Sequence, residues 1–503
     1  MSAARHLGPQ LIAYADRFGG SIPGLGSLLD GPLAGAFDGV HVLPFFTPFD
    51  GADAGFDPAD HTTVDPRLGD WADISTLASD RAVMADLIAN HVAASSPQFT
   101  DFLTLGEDSE HAPMFLTLSS LWPDGATEAD LAAIYRPRPG LPFTPVTAGG
   151  VRRLVWTTFG PEQIDLDIRT PQARDYHTRI IDRMTSSGVT MIRLDAIGYV
   201  GKAAGTSCFM TPEAIDYTNE LREYANAKGA TVLLEIHGHY SQQLIAAAQV
   251  DYVYDFALPP LVLHAIHAQD PDPLKRWLGL RPENSITVLD THDGIGIVDV
   301  SPSTSDGDED GLLDRNDVSA LVDSIHRASR GESKLATGTA AANLDIYQVN
   351  CTFYDAVGSD DNAYLLARLT QLFVPGIPQI YYVGLMAGRN DLTLLKSSGV
   401  GRDINRHHFD DAEIAAELKR PVVQSLLSAL GLRRTHPAFQ GEFSAAVAGS
   451  VLTLTWTPAE GVALALEADF GEGRARILEH SASGAVTTID PLDLDAMARL
   501  ASA

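Results

Sequence analysis

The sequence predicts an α/β chain: a (β/α)₈ TIM barrel with two inserted subdomains and a small C-terminal antiparallel β-domain. Three observations point there. Eight short apolar, β-branched-rich segments recur within the first 385 residues, separated by stretches long enough for a helix, as buried parallel strands would be. Ionisable residues gather at the C-terminal ends of three of these segments, where barrels of this kind build active sites. After about residue 439 the pattern turns to alternation, as in Val451-Leu-Thr-Leu-Thr-Trp456 and Val462-Ala-Leu-Ala-Leu466, which suits half-exposed antiparallel strands.

In chain order the strands are expected at residues 11–16, 39–44, 83–90, 191–196, 231–236, 252–258, 286–290 and 378–383. The clearest helix runs over 170–187. Thr170 is placed to cap it and Pro171 suits its first turn; Tyr176, Ile180, Ile181 and Met184 form one apolar stripe, and Gly188 ends it. Two gaps, about 100 residues after the third strand and about 85 after the seventh, exceed one crossover helix and should hold subdomains. The expected division is therefore barrel at 1–88, 170–294 and 359–438, insertions at 89–169 and 295–358, and the β-domain at 439–503. The first insertion carries a stiff run, Tyr135-Arg-Pro-Arg-Pro-Gly-Leu-Pro-Phe143. The second opens on an acidic stretch, 301–317, that reads as solvated surface.

Composition narrows the partners. The chain has 503 residues, 35 Lys and Arg against 65 Asp and Glu, a formal net charge of −30 and 45% hydrophobic residues, enough for a full core and against disorder. Mean hydropathy is +0.00 and no apolar run approaches the roughly 18 residues of a membrane helix, so no membrane partner is expected. Acidity of this size also argues against nucleic acid, which is bound by clustered Lys and Arg. Cys208 and Cys351 match neither a disulfide framework nor a zinc motif. With no basic-then-apolar leader pattern at the start, a reducing cytoplasm is expected. No Gly-rich nucleotide loop joins a strand to a helix, so no cofactor is expected.

The chemistry lies at strand ends. Strand four closes on Ile192-Arg193-Leu194-Asp195, strand five on Leu234-Glu235-Ile236-His237, and strand seven on Leu289-Asp290-Thr291-His292-Asp293. Strand alternation would put Arg193 and Asp195 on one face, and Glu235 and His237 on one face. Three carboxylates at one mouth repel each other unless a cation and differing environments separate their titrations. Arg193 is expected to supply that charge and hold Asp195 ionised as nucleophile, while Glu235, in a drier position, keeps a proton as general acid. A retaining glycosidase needs this pair about 5 Å apart. A single such acid is more often a helix cap, but three acids, an arginine and three histidines together mark a site.

Asp86-Leu-Ile-Ala-Asn-His91, Arg193-Leu-Asp195, Glu235 and His292-Asp293 resemble the four short regions of the α-amylase superfamily, glycoside hydrolase family 13. Phe49-Asp-Gly-Ala-Asp-Ala-Gly-Phe-Asp57, the run from Tyr135 to Thr144, Leu344-Asp-Ile-Tyr-Gln-Val-Asn350 and Gly401-Arg-Asp-Ile-Asn-Arg406 narrow the resemblance to its sucrose phosphorylase branch. That resemblance implies Asp195 as nucleophile, Glu235 as acid/base and Asp293 as the third acid, on the sugar hydroxyls. It implies Asp53, His91, Arg193, His292 and Arg402 around the glucosyl unit, with Phe56 and Phe159 as aromatic walls. On the acceptor side it implies Tyr135, Pro137, Arg138, Tyr199, His237, Leu344, Asp345, Tyr347 and Gln348. These types suit a sugar, which offers hydroxyls to charged groups and an apolar face to rings.

The implied partners are sucrose, inorganic phosphate, fructose and glucose 1-phosphate, with a homodimer as the assembly. On so acidic a chain phosphate needs a local cation, for which Arg138 is the best candidate; loop shifts at 137–141 and 344–348 would exchange it for Asp345 when fructose binds. Many amylases hold calcium beside the position of Asn90, but one Asn without an acidic cluster is a poor site, and no metal is expected. Three alternatives stay open. One is a phosphorylase of sucrose 6'-phosphate, glucosylglycerate or glucosylglycerol, against which Leu141 and Leu344 argue mildly; another is a retaining sucrose hydrolase or isomerase; the third is a non-catalytic amylase-like scaffold.

Overall fold

The computed structural model describes residues 8–51, 53–136, 140–303, 310–337, 348–481 and 484–501. Eight parallel strands close a barrel: β1 (Gln10–Ala13), β2 (Gly39–Val42), β3 (Ala82–Ile88), β4 (Met191–Asp195), β5 (Thr231–Leu234), β6 (Tyr252–Asp255), β7 (Ser285–Thr287) and β8 (Ile377–Tyr381). Neighbours pair in chain order, and β8 closes on β1 with Gln10 opposite Gln379. Every strand falls on a predicted segment. The ladders stop one to three residues before the predicted ends, because the last residues leave their neighbours to form the loops of the mouth. Glu235 and His237 therefore lie beyond β5, not on one face of it.

The strands are nearly all buried, yet the barrel is not filled by aliphatic side chains alone. Gln379 donates to Gln10 Oε1 at 2.8 Å, Tyr254 donates to Gln379 Oε1 at 3.3 Å, and Gln10 reaches the Met191 sulfur at 3.3 Å from across the barrel. Buried amides need partners, and here they find them in one another. Met191 of this layer lies on β4, two residues before Arg193.

The helix Pro171–Ser186 forms as predicted, with Tyr176, Ile180, Ile181 and Met184 buried. Thr170 stands at its cap position without capping it: the hydroxyl donates instead to the Asp167 carbonyl at 2.7 Å. Between β3 and β4 two short antiparallel pairs form, His91–Ala93 with Gln163–Asp165 and Phe143–Ala148 with Val151–Trp156. A separate apolar cluster around Leu116, Trp122, Ile134 and Trp156 supports them. Between β7 and β8, Ile295–Gly296 pairs with Gln348–Val349. The C-terminal sheet is antiparallel, in the order β9 (Glu442–Ala448), β10 (Val451–Thr457), β11 (Ala463–Asp469), β12 (Arg474–His480) and β13 (Val486–Ile489). Trp456 of β10 docks it by donating to the Phe373 carbonyl at 2.7 Å. A helix not foreseen from the alternation, Leu494–Ala501, follows it and buries Met497 and Leu500. No described helix is long and apolar enough to cross a membrane.

The helix Asp361–Phe373 anchors the loop after β7. Arg368, fully buried, donates to Asp290 Oδ2 at 2.7 Å and to Gln371 Oε1 at 3.1 Å, and Gln371 in turn donates to the carbonyls of Thr287 and Gln379 at 2.9 Å. Arg368→Leu should leave Asp290 buried without its cation, costing about 3–5 kcal/mol. A thermal melt should show the midpoint falling, with part of the loss recovered on adding Asp290→Leu; an unchanged midpoint would contradict this role.

Candidate active site

The site grows from one register. The parallel pairing of β3 with β4 sets Arg193 opposite Asp86, so a buried cation meets a buried anion inside the barrel. Arg193 is 2% exposed; its Nη1 donates to Asp86 Oδ1 at 2.5 Å and to Asp195 Oδ1 at 2.9 Å, and its Nη2 lies 2.9 Å from Glu235 Oε1. Asp86 is held from behind by His41 Nε2 at 2.8 Å. Burial opposes its charge, yet His41 and Arg193 bring Asp86 down to about 2. After Asp195 the chain turns through Ala196 in the left-handed region, φ 55°, which aims the Ala196 N–H at Glu235 Oε2, 3.3 Å away.

Two sequence expectations change here. Glu235 is no drier than Asp195, their side chains being 13% and 12% exposed, so dryness does not sort their protons. Nor does Arg193 serve Asp195 alone, for its single charge is divided among three carboxylates. Burial, with Glu235 next, pushes the Asp195 carboxyl well above the usual range. Asp195 therefore holds a proton more tightly than an ordinary aspartate, beside the Glu235 carboxyl that shares the Arg193 fork.

Asp293 is set apart electrostatically. Burial would raise it, but Arg402, with Arg406 further off, holds it far below the usual carboxylate range; Arg402 Nη1 lies 2.8 Å and Arg406 Nη2 3.9 Å from Oδ1. His292, lowered to about 3 chiefly by burial, is neutral and stacks on Phe56 with centroids 4.6 Å apart and planes 9° apart. His91 Nε2 contacts the Phe56 carbonyl at 2.9 Å, and its ring tilts against Phe159 at 5.4 Å. Phe159, Tyr199 and Tyr135 continue as a row of rings at 5.0 and 6.3 Å. Asp53 is half-buried, its N–H donating to Asp57 Oδ1 at 3.1 Å, and its charge bears on Tyr14 and Arg406.

His237 lies between the carboxylates and the second insertion. One of its ring nitrogens comes within 4.8 Å of carboxylate oxygens of both Glu235 and Asp293, and its Nε2 lies 3.4 Å from Gln348 Nε2. The structure therefore brings together Asp195, Glu235, Asp293, Arg193, His292, Phe56, His91, Phe159, Arg402, His237 and Gln348, with Tyr199, Tyr135 and Asp53 beside them. Pro137, Arg138, Leu344, Asp345 and Tyr347 lie outside the described residues. A pocket of about 220 Å³, including open solvent at its mouth, is lined by Arg193, Glu235, Tyr254, Phe256, Thr291, His292 and Asp293 with Ile12 at its base.

Several members escape a reading of motifs. His41, Asp86, Phe256, Asp299 and Arg406 take part; only Asp86 and Arg406 fell within the motifs quoted for the resemblance, while His41 and Phe256 lay in expected strands without a role. A charged residue in an otherwise apolar strand, as Asp86 is, was the available signal. Beside Asn90, the position suggested for calcium, Lys202 Nζ donates to Asn90 Oδ1 at 2.6 Å, pairs with Asp165 Oδ2 at 2.5 Å and donates to the Tyr199 carbonyl. These oxygens already serve an ammonium group and do not fit calcium.

Three acids gathered around buried arginines at a barrel mouth, beside stacked aromatic rings, suit a glycosidase-type enzyme. A family model described as "Alpha amylase, catalytic domain" matches residues 34–269. The chain is 53% identical over 472 residues to a sucrose phosphorylase of Agrobacterium vitis, covering 93% of this chain and 96% of that protein. It is 52% identical over 436 residues to one of Bifidobacterium adolescentis, covering 86% of each. The crystal structure of a sucrose 6F-phosphate phosphorylase from Thermoanaerobacter thermosaccharolyticum superposes with a TM-score of 0.89 at 36% identity, over 97% of this chain and 98% of that one. The chain belongs to the α-amylase family, in the branch of these phosphorylases.

Because the folded state raises Asp195, it binds a proton there that the unfolded chain has lost, and stability falls as pH climbs from the ordinary carboxylate range toward the raised value. Asp195→Asn removes this penalty without changing shape. Its thermal midpoint should exceed the wild type's at pH 8 by about 2 °C or more, with a smaller gain at pH 5. Calorimetry at both pH values checks this, and a lower midpoint at pH 8 would contradict it.

Proposed function

We infer that this chain catalyses the reversible, retaining transfer of a glucosyl group from sucrose to inorganic phosphate, giving α-D-glucose 1-phosphate and D-fructose. The observation that carries it is identity above 50% to two sucrose phosphorylases over most of the chain. The sucrose 6F-phosphate phosphorylase shares the fold at 36% identity and marks the main alternative donor.

In the proposed mechanism the glucosyl unit sits over Phe56, with Asp293, Arg402, His292, His91 and Asp53 on its hydroxyls and Phe159 beside it. Asp195 attacks the anomeric carbon as the bond to the fructosyl oxygen breaks, and Glu235 gives that oxygen its proton. As Asp195 becomes an ester, its negative charge leaves the Arg193 fork. A phosphate oxygen then attacks the same carbon, the ester bond to Asp195 breaks, and Glu235 takes up the proton of the attacking hydroxyl. Two inversions preserve the α configuration.

Phosphate must displace water as the second nucleophile, so positioned cations and donors decide the product. His237, with a ring nitrogen within 4.8 Å of a Glu235 carboxylate oxygen, is proposed as one such donor. Arg138 and Tyr347 are the further proposed donors to phosphate, with Asp345, Pro137, Leu344, Gln348, Tyr135 and Tyr199 proposed on the fructosyl side. The proposed setting is a homodimer in the cytoplasm, supported by the resemblance and by two cysteines that are buried and free.

With sucrose and phosphate the purified protein should form glucose 1-phosphate, and NMR of the fresh product should show the α anomer. Release of glucose alone, a β product, or a strong preference for sucrose 6'-phosphate would each refute the assignment. Glu235→Gln should slow the first step from sucrose by two decades or more, yet slow the initial burst of fluoride release from α-glucosyl fluoride far less, since fluoride leaves without a proton. Equal losses with both donors would remove Glu235 as the acid.

A further inference from the structure

Behind the acceptor side lies a carboxylate that the reaction above does not use. Asp299 is fully buried; its Oδ2 lies 3.1 Å from His237 Nδ1, while Oδ1 accepts from the Gln243 side-chain amide at 3.1 Å and from the Gly238 N–H at 3.4 Å. The His237 ring lies flat on Phe256, with centroids 3.9 Å and planes 16° apart, so it is held in plane as well as by its edge. Room for the pair depends on Gly296: a Cβ there would fall 2.3 Å from Asp299 Oδ2 and 3.3 Å from His237 Nδ1.

An ionised carboxylate can only accept, so Nδ1 of His237 carries a proton toward Asp299 and Nε2 faces the opposite way. On that side stands Gln348, whose amide nitrogen, 3.4 Å from Nε2, donates to it while Nε2 is unprotonated and must give way to the amide oxygen when Nε2 carries a proton; one ring nitrogen of His237 also lies within 4.8 Å of carboxylate oxygens of Glu235 and Asp293. A neutral imidazole with this tautomer offers Nε2 as an acceptor and would repel a phosphate oxygen. An imidazolium offers a charged donor instead.

Taking the transfer to phosphate as read above, we propose that Asp299 is a positioning residue for the acceptor: it fixes the His237 ring and tautomer and sustains a second proton on Nε2, so that an imidazolium grips the incoming phosphate. The surrounding charges agree. Burial alone would lower His237, but Asp299, then Glu235 and Asp293, carry it above the ordinary histidine range.

Asp299→Asn keeps the shape and an acceptor oxygen while removing the charge. Initial rates of glucose 1-phosphate and of free glucose are measured with sucrose and varied inorganic phosphate, between pH 5.5 and 8.5. At pH 7 the variant should show a KM for phosphate raised about tenfold, with hydrolysis within about threefold of wild type, and the alkaline limb of phosphorolysis moved down by about one unit. An unchanged KM and pH profile, or a parallel loss of hydrolysis and phosphorolysis, would overturn the proposal. Histidine ¹⁵N NMR of the wild type, with His237 assigned through His237→Gln, gives a readout independent of the variant's folding: Nδ1–H at high pH supports it and Nε2–H overturns it. A wild-type protein that made no glucose 1-phosphate would instead overturn the functional reading, and this inference with it.

Discussion

The Arg193 guanidinium is the constraint around which the barrel mouth is organised. A rigid fork with two outward nitrogens can hold Asp86, Asp195 and Glu235 only in a fixed mutual geometry, and all three are buried enough to need it. One positive charge against three negative ones leaves the site short of balance, which together with burial raises the Asp195 carboxyl well above the usual range. This electrostatic deficit weakens the fold at the place where the proposed mechanism sets a nucleophile beside a general acid.

The remaining elements keep this cluster in place and keep its charges distinct. His41 ties down Asp86, the Gln10, Tyr254 and Gln379 layer fills the barrel, and Arg368 secures the loop that leads from β7 to His292 and Asp293. Asp293 is neutralised by a separate pair of arginines, so its carboxyl is held far below the usual range while that of Asp195 is pushed above it. Lys202 bridges Asn90 after β3 to Asp165, joining the first insertion to the barrel. The short pairing of Ile295–Gly296 with Gln348–Val349 does the same for the second, linking the strand just after Asp293 to Gln348.

The eight barrel strands are legible in the sequence because each is a short, buried, β-branched run, and burial on both faces leaves an unbroken apolar signal. Asp195, Glu235 and Asp293 are legible because ionisable residues interrupt or end those runs. What stays hidden is register and sharing. Nothing in the spacing of Asp86 and Arg193 says that they stand opposite each other, nor that one guanidinium serves three acids. The equal exposure of Asp195 and Glu235 is likewise a property of loops beyond the ladder. Asp299 lies next to an acidic stretch that reads as solvated surface, and only the fold turns it inward onto His237. Thr170 shows the local counterpart: the residue is in the cap position, but the nearer Asp167 carbonyl takes its hydroxyl.

The most direct test of the shared-fork account is to trap the glucosyl group. Glu235→Gln, mixed with α-glucosyl fluoride in the absence of phosphate and quenched in acid, should accumulate an ester because the base for the second step is gone; mass spectrometry of the digested protein should then find one hexosyl group, on Asp195. A hexosyl group on any other residue, or none despite release of fluoride, would contradict the account.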